Sequence, residues 1–76
     1  MDKVRAKFIC DSKTENRGEF SIILMPVTSG SKENEEFYKY TPWGRLELGG
    51  LKKEIADGMK VGGEYYIDIT AAEVAK

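Results

Sequence analysis

The 76 residues include no histidine, one cysteine, two prolines and one tryptophan, and neither sign of charge prevails, with 12 Lys and Arg against 13 Asp and Glu. Each shortage removes a class of chemistry. Without histidine the chain lacks the side chain that most often serves as a general base near neutral pH and as a transition-metal ligand. Cys10 alone cannot close an intramolecular disulfide, and no second cysteine is present to share a zinc ion. A formal net charge of −1 offers no global attraction to phosphate backbones, so a nucleic-acid site would have to be a local patch. Long apolar runs are missing too. The uncharged stretch between Glu19 and Lys32 carries Pro26 and several polar residues and falls short of the about 18 to 20 apolar residues of a membrane span. Met1-Asp2-Lys3-Val4-Arg5 alternates charged with apolar residues and does not read as a signal peptide. The inventory therefore predicts a cytoplasmic, non-enzymatic binding protein with no catalytic residue, metal or cofactor.

The length suits one small domain, residues 1–76. Val4, Ala6, Phe8 and Cys10 alternate with Arg5 and Lys7, the period of a half-buried strand. Asp11 to Gly18 is polar and ends in Asn16-Arg17-Gly18, which predicts a turn connecting to a second strand over Glu19 to Thr28. That strand is almost continuously apolar from Ile22 to Val27, as expected where the fold or a partner chain covers both faces, and Pro26 should place its end at an edge or bulge. Ser29 to Glu35 has the composition of a solvated loop, and Glu36-Phe37-Tyr38-Lys39-Tyr40-Thr41 that of a third strand. Pro42-Trp43-Gly44 supplies a turn before a short strand at Arg45 to Leu48. Leu51, Ile55 and Met59 recur every four residues and predict a single amphipathic helix, followed by an alternating strand over Glu64 to Thr70. The expected fold is β-rich α+β: about five antiparallel strands in a curled sheet or small partial barrel, in the order β-β-β-β-α-β, with one short helix. So many strands in so short a chain leave an exposed edge unless the sheet closes, which makes a homo-oligomer an expected partner state.

Several of these segments together resemble a widespread family of small phage and prophage proteins of no settled function. The likeness lies in the Val4-Arg5-Ala6-Lys7-Phe8 opening, the Pro26-Val27 and Ser29-Gly30 that end the second strand, the Tyr40-Thr41-Pro42-x-Gly44 turn, and the Gly62-x-Glu64-Tyr65-Tyr66-Ile67-Asp68 ending. It spans nearly the full length and is carried by the order and spacing of short motifs. Trp43 inside the turn and the charged Lys52-Lys53-Glu54 run depart from the family pattern. The resemblance implies a phage accessory protein acting in the host cell cytoplasm. Its anti-defence role would be to block a host defence protein or sequester a small nucleotide signal.

Within that setting Tyr40, Trp43 and Arg45 are the expected contact cluster, since they bring stacking, charge and a hydroxyl to one turn. The competing reading is packing, because a lone tryptophan in so small a domain is more often a buried or interface anchor than a stacking platform. Arg5, Lys7, Tyr38 and Tyr40 define an alternative, single-stranded nucleic-acid face, to which Tyr66 would add if the strands are adjacent. Glu36, Glu64 and Asp68 among those aromatics favour a solvated face with cross-strand pairs over a positive groove. A structural role, with strand edges building an assembly, is the remaining alternative. Gly49-Gly50 before Leu51-Lys52-Lys53 lacks the spacing of a phosphate loop and reads as helix entry, and Glu33, Glu35 and Glu36 lack the pattern of a calcium loop and read as a solvated loop. Cys10 reads as a small buried hydrophobe.

Overall fold

A computed structural model describes residues 3–39 and 42–72. Its elements are β1 (Lys3–Asn16), β2 (Glu19–Pro26), α1 (Lys32–Phe37), β3 (Leu46–Leu51), α2 (Lys53–Asp57) and β4 (Glu64–Thr70). The four strands form one curled antiparallel half-barrel sheet in the order β3-β2-β1-β4. The expected β-rich α+β class holds, with four strands and two helices where five and one were expected, in the order β-β-α-β-α-β.

β1 is the spine of the sheet. Its first half pairs with β4, from Lys3↔Thr70 to Ile9↔Glu64, and its second half pairs with β2 as far as Asn16↔Glu19. A register shift between Cys10 and Ser12 inserts an extra residue where the strand passes from one set of partners to the other, and such a bulge increases local bend and twist. The polar Asp11–Asn16 segment is strand, not loop. The turn narrows to Arg17 and Gly18, at φ 56° and 83°, the doubly positive geometry of a two-residue hairpin that matches the twist of its strands. Glycine takes that conformation without strain, and Arg17 is the non-glycine residue that bears it.

Alternation places Ala6, Phe8 and Cys10 of β1 against Ile22 and Leu24 of β2 in a small core. Ala56 of α2 is wholly buried, and Tyr38, Leu46, Leu51, Met59, Tyr65 and Ile67 pack around the cluster. Lys13 fastens α2 in place, its Nζ donating to the carbonyls of Ala56 and Met59 at 3.0 and 2.9 Å. The first of these lies in the last turn of α2 and the second just beyond its C-cap, where a cation meets carbonyls that the helix itself leaves unpaired. Pro26 closes β2 opposite Phe8, at the end of the strand where pairing with β3 has already stopped.

Both helices differ from their sequence expectation. α1 occupies the segment expected to be loop and then strand. Ser31 caps it by accepting from the Asn34 amide at 3.2 Å, and Glu33 and Glu35 lie in its first turn, where carboxylates are favoured. The Glu36–Thr41 strand is thereby corrected: Phe37 ends the helix and Tyr38 is its C-cap, while Tyr40 and Thr41 lie outside the described residues. α2 begins at Lys53 and buries Ala56, leaving Ile55 57% exposed. The Leu51-Ile55-Met59 stripe fails because Leu51 belongs to β3, paired with Phe20. Gly49 and Gly50 also lie in β3 and do not open the helix.

Asn34 is the tie between α1 and the sheet. It is 3% exposed, and its amide works as a length of strand backbone: Oδ1 accepts from the Lys7 N–H at 2.6 Å, and Nδ2 donates to the carbonyls of Lys7 and Val27 at 2.9 and 2.8 Å. These bonds fill the opening where β1 and β2 part, so the buried polar groups there are satisfied.

Candidate functional site

Two surfaces carry the residues singled out by the sequence, and the structure separates them. The first is the segment from Pro42 to Arg45, which runs from the α1 side into β3. A Cβ on Gly44 would lie 3.7 Å from Pro26 Cγ and 3.8 Å from Tyr38 Oη, so this segment rests against the end of β2 and the C-cap of α1. Gly44 has φ 153°, a region that L side chains rarely adopt. The turn is thus fixed by its backbone, and Trp43 projects from it 83% exposed. Core packing is therefore not the role of this tryptophan in the single chain. Arg45 pairs with Glu47 at 3.2 Å, with both side chains more than half exposed, so its charge is screened and open to a competing anion.

Phe37, 39% exposed, meets Tyr38 edge to face with ring centroids 4.8 Å apart. Tyr38 itself packs on the core, and burial pushes its phenol above the usual range. Phe37 was not among the expected contact residues. An aromatic pair at a helix C-terminus reads in sequence like the start of a strand, and the signal that would have placed it is a serine N-cap followed by acidic residues, Ser31 with Glu33 and Glu35. Beside the turn, a cavity of about 270 Å³ is lined by Val27, Ser29, Ser31, Asn34, Glu35 and Pro42 among others, just below the about 300 Å³ at which small-molecule sites begin.

The second surface is the outer face of β1 and β4. Arg5 donates to both carboxylate oxygens of Asp68, at 2.6 and 3.1 Å, and its guanidinium lies 5.0 Å from the centre of the Tyr66 ring. Lys7 Nζ lies 5.5 Å from the same ring and 3.6 Å from Glu64. Tyr66 Oη donates to Glu33 at 3.4 Å. The adjacency expected of Arg5, Lys7 and Tyr66 is present because Lys7 and Tyr66 are cross-strand partners. Tyr38 does not join them, since it sits on the core side, and Tyr40 is outside the described residues. Arg5 and Lys7 each have a carboxylate beside them, so this part of the face is a ladder of compensated cross-strand pairs.

Glu33 is held below the usual carboxylate range, chiefly by its own backbone amide and then by Ser31, Lys7 and Tyr66, against the opposing effect of burial. A folded-state value lowered in this way contributes stability above the ordinary carboxylate range and loses it as pH falls through the folded value. Removing one donor with Tyr66→Phe should move the Glu33 titration upward, read by side-chain NMR; an unchanged titration would show that the Tyr66 contact does not bear on it.

Comparison with family models, curated proteins and solved structures gives no match. The site must be read from its own residues. Among the described residues no group of three or more His, Cys, Asp or Glu is placed to hold a metal ion, and no helix is long and apolar enough to cross a membrane.

Proposed function

We propose that the protein is a non-enzymatic phage accessory protein that acts by binding, as a homo-oligomer in the host cytoplasm, and counters host defence by occupying a surface of a defence protein. The phage setting rests on the resemblance of its ordered motifs, and the anti-defence role follows from that setting. The binding mode rests on one observation: the sole tryptophan stands 83% exposed on a turn held against Tyr38 and Pro26. Exposed aromatics with a neighbouring Arg are typical anchors of protein interfaces, because they bury large areas on a rigid frame. A protein partner suits this site better than a sequestered nucleotide, since the neighbouring cavity is too small to enclose one. Nucleic acid fits poorly, since Arg5 and Lys7 already face Asp68 and Glu64.

Trp43 is its own reporter. Its fluorescence should be that of a solvent-exposed indole in the free protein and shift to the blue when the partner covers it. Trp43→Ala combined with Arg45→Ala should leave the melting temperature unchanged, as surface substitutions away from caps and packing usually do, and abolish protection of phage plating on a defence-bearing host. Protection by the double variant equal to wild type would remove this cluster from the function.

A further inference from the structure

We propose that a second copy of the chain pairs antiparallel with β4 about a two-fold axis at Ile67, joining two half-barrels into one continuous sheet. This rests on the reading of the protein as a homo-oligomer and names its seam. The first support is area. The chain has a mass of 8.6 kDa, for which a compact monomer exposes about 4,700 Å²; this one exposes 6075 Å². Its radius of gyration is 14.1 Å and its extents 41 × 39 × 17 Å, against about 11 Å for the radius of a compact domain of this length. The fold is a plate with surface to spare, and a standard interface removes about 800 Å² from each partner.

The second support is the contrast between the two outer strands. β3 carries Gly49 and Gly50, the latter at φ 65°, and pairs with β2 through a register shift. Glycines and irregular pairing are devices that discourage edge association. β4 has none of them. It is Glu-Tyr-Tyr-Ile-Asp-Ile-Thr, with β1 as its neighbour in the sheet, and Ile69 on its core side is 53% exposed.

The third support is that parity and charge select one register. The Lys7 N–H and carbonyl are used on the β2 side, by Asn34 and Val27. Lys7 and Tyr66 are therefore a non-hydrogen-bonded pair, and in an antiparallel ladder the backbone groups of Glu64, Tyr66, Asp68 and Thr70 point to the outer side. A partner strand must match these residues with each other, or one set of side chains changes face. Centring on Tyr66 sets Glu64 against Asp68 of the other copy, and centring on Asp68 sets two aspartates together. Both place carboxylates opposite each other, a repulsion that Arg5 and Lys7 beside them offset only in part, and both leave two residues of β4 unpaired. Centring on Ile67 uses the whole strand: Tyr66 meets Asp68, Glu64 meets Thr70, Tyr65 meets Ile69, and Ile67 meets itself. About eight backbone hydrogen bonds form, with the apolar side chains on the core side.

At such a centre the two Ile67 Cα atoms lie about 4.5 Å apart, within disulfide reach, and Cys10 is buried. Native mass measurement should give a dimer of about 17 kDa, or a multiple of it. Ile67→Cys should cross-link to a covalent dimer under mild oxidation, whereas Ile69→Cys, which faces Tyr65, should not. Ile69→Lys, at an exposed strand end, should keep the circular dichroism of the fold and weaken the dimer about 100-fold or more. A monomeric wild type would overturn both the seam and the oligomeric reading. An oligomer that survives Ile69→Lys, or one in which folded Ile67→Cys fails to cross-link, would overturn the seam alone.

Discussion

Replacing Asn34 by alanine is expected to cost the fold about 3 kcal/mol, seen as a lower urea midpoint with little change in slope. The variant strips the Lys7 N–H of its acceptor and the Val27 carbonyl of a donor in a site where the side chain is 3% exposed. Buried backbone groups left without partners cost about 1 to 3 kcal/mol each. Asn34→Asp is the sharper test of mechanism. It keeps the acceptor for Lys7 but turns a carboxylate toward two carbonyls, so burial and repulsion raise its folded pKa above the unfolded value. A raised folded value means that this variant gains stability relative to wild type as pH falls, and loses it as pH rises through that value. Equal pH profiles for Asn34→Asp and wild type would contradict the bridging role.

Leu24→Ala should be still more damaging, about 3 to 4 kcal/mol, because the buried apolar residues among those described are few: Ala6, Phe8, Cys10, Ile22, Leu24 and Ala56. A domain of this length has only about 4 to 11 kcal/mol in total, so the variant removes a large fraction of it. Leu24 lies between Cys10 on β1 and Leu46 on β3, and no neighbour in so small a cluster can collapse fully into the space. Thermal unfolding by circular dichroism measures the loss; a fall in melting temperature no larger than that of Trp43→Ala would mean that the core is elsewhere.

The two residues differ in how visible they are in sequence. Leu24 sits in an apolar run whose strand character is plain, the alternation in β1 and β4 is equally clear, and the turn before Arg45 to Leu48 announces β3, whose extension through Gly49 and Gly50 to Leu51 is what the pattern does not give. Asn34 is invisible to that reasoning. Its burial is created by backbone groups on Lys7 and Val27 that only the folded sheet brings to it, and in sequence it looks like one more polar residue in a loop. The same competition hid α1, where Phe37 and Tyr38 carried strand propensity while the Ser31 cap decided for helix. The polar half of β1 looks like loop in sequence because an exposed ladder running to a hairpin tip requires no apolar alternation. At the candidate site, the sequence puts Trp43 and Arg45 on one turn but leaves open whether the indole packs inward; its 83% exposure follows from where the turn lies against Tyr38 and Pro26, which no pattern in the sequence gives.

The division of β1 between two partners also orders events during synthesis. The β1–β2 hairpin closes through a tight turn and can form as soon as both strands leave the ribosome, whereas Arg5 must wait for Asp68, 63 residues later. Long-range closure of this kind is slow relative to hairpin formation. Until β4 arrives, the first half of β1 presents its own naked edge, so a nascent chain is most prone to wrong associations in that interval, and the last strand completes the subunit by covering that edge and putting its own in its place.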